Sequence, residues 1–154
     1  MKIGYIYPQF ELSRDPSALG ALGQAADALG YDHMMMFDHV AGADHTNRQP
    51  PLTGPFDYTH PFHDPFVAIG YLAGITKRIA FATGVVILPQ RQTVLVARQT
   101  ADIDLLSGGR FRLGTVHHRP FDGDGPLPFL LSSCPAPSQF PAGLEICLPG
   151  GLGA

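Results

Sequence analysis

Basic residues are few in this 154-residue chain, with 10 Lys and Arg against 13 Asp and Glu and a formal net charge of -3. That balance excludes the cationic face with which proteins neutralise a phosphate backbone, so no nucleic-acid partner is expected. Cysteine is scarcer still: Cys134 and Cys147 match neither a zinc-ligand pair nor a redox pair in spacing, and no disulfide framework is expected. Long apolar runs are missing, since none approaches the roughly 18 residues of a membrane span. The opening Met1-Lys-Ile-Gly-Tyr-Ile-Tyr-Pro8 is broken by proline, short of the roughly 7 to 15 apolar residues of a secretory signal. A cytoplasmic protein without a membrane partner is the expectation. Neither G-x-G-x-x-G nor G-x-x-x-x-G-K-[ST] occurs, which removes the usual glycine-rich phosphate loops.

What is present fits a globular domain: 45% of residues are hydrophobic and 15% charged. Lys2 to Tyr7 reads as a first strand, ended by Pro8, which cannot donate to a sheet ladder. Asp15-Pro16-Ser17 starts a helix that Gly30 closes, with Leu19, Leu22, Ala26 and Leu29 along one face; Gly20 and Gly23 weaken it. His33 to Phe37 is a continuous apolar run of the kind found in parallel strands covered on both faces, and Asp38-His39 stands at its end. A long polar stretch from Val40 to His63 follows, the kind of segment that covers a site. Asp64-Pro65 caps a second helix carrying Phe66, Ile69, Leu72 and Ala73. Ile79 to Leu88 is a third strand interrupted by Gly84, and Gln92 to Leu106 a third helix with a Val94, Ala97, Ala101, Leu105 stripe stopped by Gly108-Gly109. Phe111 to Thr115 is the fourth strand. The alternation calls for right-handed crossovers and a parallel sheet, in either a doubly wound sheet or an eight-stranded barrel. The missing dinucleotide fingerprint counts against the first.

Several polar residues have ordinary explanations. His45, His60, His63 and Asp64 contain metal-ligand types, but their segment is proline-rich and lacks the H-E-x-x-H spacing, so no metal site is expected. Met34, Met35 and Met36 read as core filling. Arg110 and Arg112 are phosphate candidates, although strand alternation makes at least one a surface charge.

Four stretches carry a resemblance: Gly30-Tyr-Asp-His-Met-Met-Met-Phe-Asp38-His39, Phe62-His-Asp-Pro-Phe66, Ala82-Thr-Gly-Val-Val-Ile-Leu-Pro-Gln-Arg91 and Asp104-Leu-Leu-Ser-Gly-Gly-Arg-Phe-Arg-Leu-Gly114. In this order and at these separations they resemble the luciferase-like monooxygenase superfamily, most of all its F420-dependent oxidoreductases. The resemblance implies the N-terminal half of a (β/α)8 TIM barrel over residues 1–116, with about four parallel strands and three helices, whereas whole barrels take about 250 residues. It implies the deazaflavin F420, or alternatively FMN, at the C-terminal ends of the strands, with Asp38, His39, Thr83, Gly84 and Val85 as cofactor-binding positions. It places a non-proline cis peptide at Gly84-Val85. His39 is the catalytic candidate on the same likeness, an imidazole titrating near about pH 6.5 being suited to moving a substrate proton. The implied activity is hydride transfer or monooxygenation of a small-molecule substrate.

The likeness stops near Thr115. The family continues through a tryptophan-containing loop, and this chain has no tryptophan. Residues 117–154 are rich in Pro and Gly without a sustained period, so an irregular, disordered tail is expected there, arising from a shifted reading frame or a truncated gene. The alternative function is a non-catalytic fragment that associates with other chains through open sheet edges, a homo-oligomer among them.

Overall fold

The computed structural model describes residues 1–12, 14–42, 44–46, 49, 51 and 57–116. The tail expected over 117–154, with both cysteines, lies outside the described residues. The elements run β1 (Gly4–Ile6), α1 (Gln9–Leu12), α2 (Ala18–Leu29), β2 (His33–Met36), α3 (Pro65–Ile75), β3 (Ala80–Thr83), β4 (Val86–Ile87), α4 (Thr93–Ser107), β5 (Phe111–Arg112) and β6 (Thr115–Val116), with a 3-10 turn at Leu88–Gln90. Four parallel strands form one sheet in the order β1-β2-β3-β5, and β4 pairs in parallel with β6. The expected third and fourth strands are therefore each split. The break in the third falls at Gly84-Val85, whose peptide bond is cis. The short α1, absent from the sequence reading, turns the chain directly after β1.

Register decides which side chains meet the helices. Tyr5, Met34, Phe81 and Phe111 form one row across the sheet; Ile6, Met35, Ala82 and Arg112 form the next. Adjacent rows point to opposite faces. The first row packs beneath the helices, where Met34, Phe81 and Phe111 are buried against a core that includes Phe66, Ile69 and Leu72 of α3. The second lines the concave face, where Ile6 is 49% exposed and Met35 and Ala82 are half-buried. This is half of a barrel wall, with β1 and β5 as open edges among the described residues.

The caps of α3 and both glycine stops follow the sequence. Asp64 accepts hydrogen bonds from the N–H groups of Phe66 and Val67 at 2.9 and 3.1 Å, with Pro65 at the first helical position. Gly30 and Gly108 end α2 and α4 in left-handed conformation, at φ 87° and 69°.

One helix face, that of α4, differs from the expected one, and that of α2 differs at its last residue. Leu29 is 77% exposed. The rest of the expected α2 face holds: Leu19 and Ala26 are buried together with Gly20 and Gly23, and Leu22 packs against the core. A Cβ at Gly20 would press on the Tyr71 hydroxyl, and one at Gly23 on Leu72. The two glycines thus form the seat for α3 on the same buried side as Leu19 and Ala26. In α4 the expected stripe is on the wrong side: Val94 and Leu105 are exposed, while Val96, Ile103 and Ser107 are buried. At about 3.6 residues per turn these two sets lie on opposite sides of the helix. Part of the buried line is polar, so apolar periodicity could not find it.

The N-terminal end of the sheet is held by two side chains. Arg110 donates from Nε to Ser107 O at 2.7 Å, from Nη1 to Thr76 Oγ1 and Ile79 O at 3.0 and 2.8 Å, and from Nη2 to Ala73 O and Thr76 O at 3.0 and 3.2 Å. Its guanidinium also lies 5.2 Å from the Phe81 ring centroid. This corrects the phosphate-binding option for Arg110, whose donors are spent on the chain itself. Asp27 accepts from the N–H groups of Lys77, Arg78 and Ile79 at 3.0, 2.8 and 2.7 Å, clamping α2 to the entry of β3.

Candidate active site at the carboxyl ends of the strands

The carboxyl ends of β1, β2 and β4 meet the N-terminus of α3, and Arg91 joins them. Its Nε and Nη2 donate to the two carboxylate oxygens of Asp38 at 2.9 and 2.5 Å, and Nη2 also reaches Asp64 Oδ2 at 2.6 Å. Asp38 is fully buried at its side chain and Arg91 is 12% exposed. The guanidinium covers the Phe66 ring at 5.2 Å. Asp38, then Asp64, hold the Arg91 proton more tightly than usual against the opposing pull of burial. Asp38 further accepts from the N–H of Ile87 at 3.1 Å. One ion triad, buried at Asp38 and Arg91 and open at Asp64, therefore fixes the end of β2, the segment beyond the strand-three break and the cap of α3. A buried carboxylate with these partners satisfies the rule that interior charges be paired and hydrogen-bonded. Arg91 stands in the quoted motif, but no sequence signal gave it this role.

His39, the next residue, is half-buried with its ring 5.3 Å from that of Phe62. Phe62 meets Phe10 edge-on at 5.4 Å, and Phe10 meets His60 edge-on at 5.2 Å. His63 lies against Tyr7 at 6.2 Å between centroids. The segment Phe62-His63-Asp64 thus touches three different elements with three successive side chains. Its approach is built on Asp57, whose carboxylate is held down to about 2 by the Thr59 hydroxyl and N–H and by His60. Gly42 packs on the backbone of Asp57 and Tyr58 so closely that a Cβ would collide there. The two ends of the long polar segment are therefore tied together beside the site. His60, His63 and Asp64 have these separate partners and do not converge on one point.

The remaining sequence candidates lie around the strand-three break. Thr83 is buried, and its hydroxyl both donates to Gly114 O at 2.9 Å and accepts from Gly114 N–H at 2.8 Å. It locks the third strand to the fourth. Gly84 donates to Met36 O at 2.7 Å and lies under the Met35 side chain, which occupies the space a Cβ would need. Val85 is half-buried. Asp38 and Thr83 are therefore committed to protein partners, while His39, Gly84 and Val85 are half-buried. At this end Tyr7 Oη, Gln9 Oε1 and His63 Nε2 are buried without a hydrogen-bond partner among the described residues. Burial, and then the Asp15 charge, push the Tyr7 hydroxyl upward.

A parallel half-barrel wall with its polar side chains gathered at the carboxyl ends of the strands is the layout of a TIM-barrel enzyme site. The chain belongs to the luciferase-like monooxygenase family, whose model matches residues 1–120. It is 30% identical over 113 residues to the alkanal monooxygenase alpha chain of Photorhabdus laumondii, covering 71% of this chain and 26% of that protein. It is 34% identical over 97 residues to an uncharacterized protein of Mycobacterium tuberculosis, covering 60% of this chain and 34% of that one. Among solved structures, the coenzyme F420-dependent tetrahydromethanopterin reductase of Methanopyrus kandleri superposes with a TM-score of 0.54 at 19% identity, over 74% of this chain and 26% of that one. The oxygenating constituent of 3,6-diketocamphane monooxygenase from Pseudomonas putida, in complex with FMN, gives 0.56 at 23% identity, over 75% and 29%. The chain spans about a quarter to a third of the length of these relatives. At these identities the superpositions establish the fold. No helix among the described residues is long and apolar enough to cross a membrane.

Proposed function

We propose that the chain carries the cofactor-facing half of an oxidoreductase site of the luciferase-like type, with F420 as cofactor and FMN as the alternative. What supports this reading is the Asp38-Arg91-Asp64 triad, which fixes the residue that precedes His39 in the segment after β2. The fit to a flat tricyclic ring rests on the apolar row Ile6, Met35 and Ala82, half-open to solvent, with His39 at its upper end. When bound, such a ring supplies hydride transfer or, as FMN, oxygen activation. The chain's own contributions are three. The concave row excludes water from one ring face. Asp38 and Thr83 hold the wall by position, through Arg91 and Gly114. His39 holds or moves a proton at an imidazole nitrogen.

The test is titration of the purified chain with F420 and with FMN, followed by quenching of cofactor fluorescence. Saturable binding by wild type, weakened by about tenfold or more in His39→Ala, is the expected result; one buried contact is commonly worth that much. No saturable binding of either cofactor overturns the reading. A second reading, association with other chains through the β1 and β5 edges, is favoured by the exposure of Ile3 and Ile6 at the β1 edge, at 52% and 49%. Size-exclusion with light scattering separates the two: assembly without cofactor binding supports association, and a cofactor-binding monomer rejects it.

A further inference from the structure

The solvent side of α4 is apolar at both ends. Val94, Leu95, Leu105 and Leu106 are 78%, 51%, 79% and 74% exposed. With Arg98 and Asp102 they fall within about a third of the helix's circumference, opposite the buried Val96, Ile103 and Ser107. Midway between the apolar ends lies one ion pair, with Arg98 Nε donating to Asp102 Oδ2 at 3.1 Å and both side chains open to solvent. A surface helix ordinarily turns charged and polar residues outward along its whole length. The neighbouring α3 shares the departure: Pro65–Ile75 contains no charged residue, and its Val67 and Tyr71 are 70% and 52% exposed. Single exposed leucines are ordinary, but grouped ones mark an interaction surface.

The order of residues along this face is symmetric. Thr100 is the midpoint of three pairs: Val94 and Leu106, Leu95 and Leu105, and Arg98 and Asp102 stand six, five and two residues to either side of it. A copy of the helix laid antiparallel about a two-fold axis at Thr100 therefore sets apolar residues against apolar ones and each cation against an anion. A parallel copy in register would set Arg98 against Arg98 and Asp102 against Asp102.

We infer that α4 is the contact through which two copies of this chain pair, antiparallel and two-fold symmetric about Thr100. In such an isologous contact every pairing occurs twice. Arg98 of each copy meets Asp102 of the other, while Val94 and Leu95 of each meet Leu106 and Leu105 of the other. Removing these apolar side chains from water supplies the attraction. The ion pairs, partly exposed, add little affinity but fix the register and exclude the parallel arrangement. The contact lies on the helix-covered side of the sheet, away from the concave row, so the inference goes beyond the cofactor reading and does not depend on it.

Sedimentation velocity of the full chain at micromolar concentration tests this, and a dimer is the expected result. Arg98→Asp and Asp102→Arg each put like charges in opposition across the contact, which should weaken dimerisation about tenfold or more. An equimolar mixture of the two variants should recover the dimer, because each then offers the charges the other lacks. The ion pair within each helix stays broken in that mixture, so recovery cannot come from helix stability. Leu105→Glu alters a side chain that is 79% exposed in the single chain, so the fold does not depend on it, and a carboxylate facing Leu95 should abolish the dimer. A monomeric wild type, as when residues outside those described cover α4, overturns the inference. Assembly that all three substitutions leave unchanged, the result expected of pairing through the β1 and β5 edges, overturns it too, as does a mixture that stays monomeric.

Discussion

The two ends of the sheet are built from similar residues to different effect. At the N-terminal end, Arg110 fills its hydrogen bonds with four backbone carbonyls and a hydroxyl, and Asp27 takes three backbone N–H groups. At the carboxyl end, Tyr7 Oη, Gln9 Oε1 and His63 Nε2 are buried without partners among the described residues. A buried polar atom left unmatched costs about 1–3 kcal/mol; Tyr5 Oη on β1 and Gln99 Oε1 and Thr100 Oγ1 on α4 share that state among the described residues, and at the carboxyl end such atoms sit beside the candidate site residues. The difference separates residues that make the wall from residues that use it.

Arg91 is the sharpest probe of that contrast, since it lies at the carboxyl end yet is bonded like the opposite one. Arg91→Met leaves the Asp38 carboxylate buried and unpaired, which should cost about 3–5 kcal/mol in thermal or denaturant unfolding. Cofactor binding should fall with it. If stability is unchanged, hydrogen-bond saturation is not what distinguishes the two ends. Arg110→Met is the counterpart at the N-terminal end. It strands the carbonyls of Ala73, Thr76 and Ile79, and about 2–4 kcal/mol of stability should be lost. Below the melting temperature the folded variant should retain wild-type cofactor affinity; a loss there would join the two ends into one functional unit.

Much of this wall was legible in the sequence because its signals are local. Pro65 after Asp64, and Gly30 and Gly108 after apolar stretches, each act through backbone geometry within a few residues, and each stands where expected. Gly84 marked the interruption of strand three for the same reason. What was illegible depends on contacts between distant segments. Arg91 to Asp38 spans 53 positions, and Arg110 to Ala73 spans 37. No spacing rule reaches that far. The face of α4, and Leu29 at the end of α2, were misjudged because glycine and serine can seat a neighbouring element as leucine does, and hydrophobic periodicity counts only the leucine. In the site, the position of His39 followed from the end of an apolar run. The commitment of Asp38 to a clamp needed the fold.

A smaller effect belongs to pH, and at the N-terminal end it is carried by Asp27. Burial pulls the Asp27 carboxyl upward, but the N–H groups of Lys77, Ile79 and Arg78 and the Arg78 charge hold it below the ordinary 3.8. Because the folded value is the lower one, protonation favours the unfolded chain. The contribution is complete above the unfolded value and is lost as pH falls through the folded one. Asp27→Asn should remove about 1 kcal/mol at pH 7, the worth of a surface-near hydrogen bond, and flatten the acid limb of a melting-temperature profile below about pH 4. An acid limb identical in variant and wild type would assign that limb to other carboxylates.

The least costly substitution is expected at the carboxyl end, and it carries the contrast furthest. Tyr7→Phe removes a buried hydroxyl that has no partner in the described chain while keeping the ring that faces His63. Deleting a lone buried polar atom and filling its place with the same apolar shape is close to neutral, so stability should stay within about 0.5 kcal/mol of wild type or rise slightly. A hydroxyl reserved for a bound molecule would show its worth only when that molecule is present: ligand affinity should fall while the melting temperature of the free chain does not. A loss of more than about 1 kcal/mol in the free chain would mean that Tyr7 is satisfied within the fold after all, by water or by a residue beyond those described. The two ends of the sheet would then be alike, and the carboxyl end would lose its distinction as the place left open for a ligand.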